Sequence, residues 1–183
     1  MILRAIAVLF ATAGFLTAAH ADDMDAKKVE RFIQSMAEVN AYADKMEAEG
    51  RAEFFDEAPN PILTGEFTPY SSGLKLAKEK SPKDYTKISG IVKAHGFTAN
   101  DWAVTGDRVL AAYLAIEMGK DPEFAGIADM DPSMLDAMPP KAKVQFAGML
   151  KALEKIEAVP AADKEALQEN YDAYTAFIEA ENR

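Results

Sequence analysis

The chain has 183 residues, 30 Asp and Glu against 20 Lys and Arg, a formal net charge of −10, two His and no Cys. The missing cysteine excludes a disulfide framework, thiolate zinc or iron–sulfur sites, covalently attached haem and a lipid-bearing N-terminal cysteine. The negative charge disfavours nucleic acid and anionic membrane surfaces as partners, and a hydrophobic fraction of 49% is too high for a disordered chain.

Residues 1–21 read as a secretory signal. Arg4 precedes an apolar run from Ala5 to Ala19, and Ala19-His20-Ala21 supplies small residues for cleavage just before Asp22-Asp23. The run is about fifteen residues long and is interrupted by Gly14, short of the roughly 20 that a spanning helix needs. Cleavage after Ala21 is therefore expected, with no stable membrane anchoring afterwards and a periplasmic or secreted location. Residues 22–183 are then one domain, which keeps a single histidine, His95.

From Asp25 onward the mature chain follows a helical period. Val29, Phe32, Met36, Val39, Ala43 and Met46 recur at alternating spacings of three and four, which places them on one stripe of a helix over 25–49 that stops at Gly50. Residues 58–73 lose that period at Pro59, Pro61, Gly65, Pro69 and Gly73. Yet Ile62, Leu63, Phe67 and Tyr70, with Phe54 and Phe55 just before, are too apolar for a solvated linker, so the segment predicts an ordered connection laid across a bundle. Ser81-Pro82-Lys83-Asp84 is a helix start, with a capping serine, proline at the first helical position and an acid in the first turn. Tyr85, Ile88, Val92 and His95 continue its stripe to Gly96.

Thr98-Ala99-Asn100-Asp101 resembles a capping box with Asp in the place of Glu or Gln. It opens a helix rich in small residues (Ala103, Gly106, Ala111, Ala112, Ala115) that is expected to stop at Gly119. Asp121-Pro122 and Asp131-Pro132 predict two short helical pieces. Further helices are expected over 141–158 and 161–181, with the break at Pro160. Short turns at Gly96-Phe97 and Val159-Pro160 predict two antiparallel helical hairpins. The fold class is all-α: an irregular up-and-down bundle of about four main helices with minor ones and one Pro/Gly-containing connection.

Motifs for chemistry are absent: no G-x-S-x-G, phosphate loop, G-x-G-x-x-G or H-E-x-x-H occurs, and one mature histidine cannot supply a carboxylate-bridged di-iron bundle. His95 has two readings, a haem ligand or general base and a helix-terminal residue covering core, and its position at a helix C-terminus favours the second. Met130, Met134 and Met138 stand at i, i+4 and i+8, a spacing that suits Cu(I) if the stretch is one helix, although Pro132 and Pro139 fragment it. Acids at Asp129, Asp131 and Asp136 fail the calcium-loop pattern, because Met134 and Pro140 stand where glycine and glutamate belong. Trp102, Tyr113, Tyr85 and Phe97, with His95 beside them, are candidate walls of a ligand or partner pocket, and the same residues suit a bundle core.

No cofactor is expected. The leading expectation is a non-enzymatic exported protein that contacts a protein partner or an apolar small ligand. The alternatives are Cu(I) handling by the methionines and a carboxylate-dependent enzyme.

Overall fold

A computed structural model describes residues 24–55, 65–120 and 138–181. Among these residues the chain is all-α, with seven α-helices, one 3-10 turn and no strand. The helices are α1 (Ala26–Ala48), α2 (Pro69–Lys80), α3 (Pro82–Ala94), α4 (Ala99–Lys120), α5 (Pro140–Glu157), α6 (Ala161–Gln168) and α7 (Tyr171–Glu181). The 3-10 turn is Glu53–Phe55. The two helical pieces expected after Asp121 and Asp131 lie outside the described residues. No described helix is long and apolar enough to cross a membrane.

The expected stripe of α1 is its buried face: Val29, Phe32, Met36, Val39 and Met46 are all buried. Asp25 caps the helix by accepting the Lys28 backbone N–H at 2.7 Å, and Gly50, at φ 66°, carries the chain out of it. At the start of α4, Thr98 Oγ1 accepts the Asp101 N–H at 3.1 Å, which is half of a capping box. The other half is missing, because the Asp101 carboxylate accepts from the nearly buried Lys28 ammonium of α1 at 2.8 Å instead.

Three expectations are corrected. The Pro/Gly-containing stretch was expected to be a connection throughout, but from Pro69 onward it is helix α2. Proline is tolerated at the first helical position, and the otherwise unpaired N–H groups of Tyr70 and Ser71 donate to the buried Asp107 carboxylate of α4 (Tyr70 at 2.8 Å). Only residues 65–68 of the described part cross the bundle as an irregular strap. Phe67 is buried there against Ala152 and Ile156 of α5, and Lys155 donates to the Glu66 carbonyl at 3.0 Å.

The expected last helix over 161–181 is two helices. Asn170 interrupts it and sends its side-chain amide to the Ala26 carbonyl at 2.8 Å, tying the break to the start of α1. The second hairpin is also not a packed pair. α5 lies mainly against α4, whereas α6 packs on α4 and α1.

The result is a bundle arranged around α4, with α1, α2, α3, α5 and α6 all seated on it. Buried Ala103, Gly106 and Ala112 make this approach close. A Cβ added at Gly106 would stand 2.7 Å from Cγ of Tyr70 and 2.9 Å from Cε2 of Phe32, so glycine is what lets α2 and α1 reach α4 together.

Candidate functional site

α1 and α2 each pack on α3 and α4 but make no comparably extensive contact with each other. The gap between them is a partly open cavity of about 290 Å³. α1 contributes Met36, Val39, Asn40, Ala43 and Met46, spaced as a helical stripe; α2 contributes Tyr70, Gly73, Leu74 and Ala77. Ile88 of α3, Trp102 of α4 and Phe55 of the 3-10 turn also line it, and among the described residues no charged side chain does.

The aromatic end of the cavity is rigidly built. Phe32, Tyr70 and Trp102 form a three-ring cluster with centroids 5.5–5.6 Å apart, and Tyr70 stands edge-on to the other two. The Trp102 indole N–H donates to Ser35 Oγ at 2.8 Å, and Ser35 in turn donates to the Phe32 carbonyl at 2.6 Å. The polar atom of Trp102 is thus satisfied inside the protein, and its ring is left to the cavity. Behind Tyr70, the wholly buried Tyr174 has its phenol held far above the ordinary range, chiefly by burial and further by the neighbouring Tyr70. Its ring meets Tyr113 edge-on at 5.3 Å, and Tyr113 stacks on Tyr171 at 5.9 Å.

The five residues expected around a pocket fall into different places. Trp102 lines the cavity. Tyr113 belongs to the tyrosine cluster with Tyr171 and Tyr174. Tyr85 and Phe97 line an open groove beside the α3–α4 turn, where Lys78 lies over the Tyr85 ring and Arg31 over the buried Phe97 ring, each at 5.6 Å. His95 is the residue that ends α3, and its Nε2 lies 3.0 Å from a Glu38 carboxylate oxygen on α1. Trp102 and Phe97 share the main core cluster, with Tyr85 and Tyr113 packed against it. Of the methionine triplet, Met130 and Met134 lie outside the described residues, while Met138 precedes α5.

The buried acids do not converge. Asp84 accepts from the Tyr42 hydroxyl at 2.6 Å, from the Ser81 hydroxyl and from the Arg51 guanidinium, which ties the end of α1 to the start of α3. Burial pushes its carboxyl up, but those three donors together hold it at about 2. Asp107 caps α2, and burial raises its pKa. Asp163 of α6 takes a bidentate pair from Arg108 of α4, at 2.9 and 2.6 Å. No group of three or more His, Cys, Asp or Glu among the described residues could hold a metal ion.

Sequence reasoning located Trp102 but missed its setting. Met36, Val39 and Met46 carried the same periodic signal as core residues, and Tyr70 and Gly73 lay in a segment with no helical signal. No known family matches the chain, and no curated protein or solved structure is significantly similar to it.

Proposed function

We propose that this protein is an exported, non-enzymatic binding protein that holds a small apolar molecule in the cavity between α1 and α2. The observation that carries the reading is the cavity itself. Its volume of about 290 Å³ lies at the lower end of the range for small-molecule sites, and its wall is almost wholly apolar. An apolar wall of this kind offers water few hydrogen-bond partners and so favours occupation by an apolar molecule. The N-terminal signal pattern supports export, and the strong negative charge supports solubility while an apolar mouth is open. Each buried acid among the described residues is engaged in joining two elements, a structural role.

Burying about 200 Å² of apolar ligand surface supplies roughly 5 kcal/mol, which places dissociation constants below millimolar. Trp102 is the sole tryptophan and lines the cavity, so it reports occupancy directly. Titration of the mature protein with 1-aminoanthracene is expected to give saturable energy transfer from Trp102 at one equivalent. Gly73→Leu fills the cavity from α2, because a Cβ there meets only the Phe55 ring, at 3.8 Å. This variant is expected to weaken binding at least tenfold while keeping the helical spectrum. Absent saturation in the parent, or binding unchanged by the filling variant, refutes the reading.

A further inference from the structure

Among the described residues, one polar side chain of the cavity wall stands apart from the others. The Trp102 N–H is held by Ser35, and Tyr70 also has an interaction within the protein. Asn40 is different. It is half-buried on the cavity-lining stripe of α1, four residues after Met36 and three before Ala43, where the other stripe positions are apolar. Among the described residues its amide has no hydrogen-bond partner. The half-exposed amide is within reach of solvent, so a ligand that displaces that solvent must pair with the amide or leave it unsatisfied, and it offers one acceptor and two donors without a charge.

We infer that the ligand is an apolar molecule carrying one neutral hydrogen-bonding group, such as an alcohol, ketone or amide, which the Asn40 amide pairs and thereby orients in the cavity. This rests on the reading of the cavity as a ligand site. An anionic head is disfavoured. Among the described residues no cationic side chain lines the cavity, and the recess that shares Ala43, Met46 and Phe55 with it presents Glu47 and Glu53. Asn40 therefore selects for head group, while the apolar wall sets the size of the body.

The test uses the isosteric pair 2-naphthol and 2-methylnaphthalene, with 2-naphthoate as the anionic analogue. Each is titrated into ¹⁵N-labelled protein, and the indole N–H of Trp102 serves as the reporter resonance. Asn40→Leu is expected to weaken 2-naphthol about five- to tenfold, the worth of one neutral hydrogen bond, and to leave 2-methylnaphthalene unchanged or tighter. Asn40→Ala gives the same selectivity in a variant that adds no bulk. In the parent, 2-naphthoate binds more weakly than 2-naphthol. Equal loss for both neutral ligands, no loss for either, or tightest binding by 2-naphthoate overturns the inference and leaves the apolar cavity standing. Failure of both neutral ligands to bind the parent overturns the cavity reading with it.

Discussion

Gly106 is where the fit of the three helices around the cavity can be tested against helix propensity. In an unencumbered helix interior, Gly→Ala stabilises by roughly 0.8–1.0 kcal/mol. At Gly106 the new Cβ would stand 2.7 and 2.8 Å from two atoms of the Tyr70 ring and 2.9 Å from the Phe32 ring, against the roughly 3.5–4.0 Å at which carbons rest. Both rings belong to the cluster held by Trp102, so neither can turn aside alone. Overpacking of this kind costs about 1–3 kcal/mol, and the crowding of two rings at once puts Gly106→Ala in the upper part of that range. Set against the propensity gain, the net expectation is a loss of about 1–2 kcal/mol, or a fall in Tm of roughly 3–6 °C for a domain of this size. Gly90 is the control. It is exposed in α3, and a Cβ there meets nothing within 4 Å, so Gly90→Ala is expected to stabilise by about 0.5–1 kcal/mol. Urea unfolding followed by circular dichroism measures both, and the cost of Gly106→Ala should shrink in a Tyr70→Leu background. A Gly106→Ala protein as stable as its parent would show that the close approach of α1 and α2 to α4 is not what this glycine provides.

Three further outcomes follow from the buried acids and the N-terminal segment. Asp84 has a folded-state pKa of about 2, below the unfolded value of 3.8, so its contribution is present above about pH 4 and is lost as pH falls towards 2. Urea midpoints taken across pH 2–7 should therefore drop through that window in the parent, whereas Asp84→Asn is less stable at neutral pH and flatter below pH 4; superimposable profiles would refute the role given to the Tyr42–Arg51–Ser81 donors. At Asp107 burial raises the pKa, so ionisation costs stability as pH climbs past the unfolded value, and only the acceptor is needed by the N–H groups of Tyr70 and Ser71. Asp107→Asn should stay within about 1 kcal/mol of the parent at pH 7, while Asp107→Leu orphans those donors and loses about 1–3 kcal/mol for each one left unpaired; equal stability of the two variants contradicts the capping role. Finally, intact mass of protein recovered from the periplasm of an expressing bacterium should match a chain beginning at Asp22, and a full-length mass in that fraction would refute cleavage after Ala21.

Some helices were legible: the stripe from Val29 to Met46 predicted α1, and the helix expected over 141–158 is α5, each to within a residue at each end. What escaped was decided by groups far away in the chain. α2 begins with Pro69 and contains Gly73, and what completes its first turn is Asp107, 37 residues beyond Tyr70. The division between α6 and α7 is held by an Asn170 contact with Ala26 across 144 residues. Such long-range partners leave no periodicity to read.

The cavity shows the same limit in a sharper form. Met36, Val39 and Met46 have the spacing of any core stripe, and spacing says which residues share a face, never what stands opposite. Opposite them stands α2, whose lining residues include Gly73 and Ala77, too small to fill the gap. A larger residue at either position would turn the same stripe into ordinary core. The difference between a packed bundle and one with an open cavity therefore lies in two small residues on the helix whose periodicity was hardest to see. For the same reason Asn40, which reads as a polar interruption at the edge of an apolar stripe, gains a chemical meaning only once the space in front of it is known to be empty of protein.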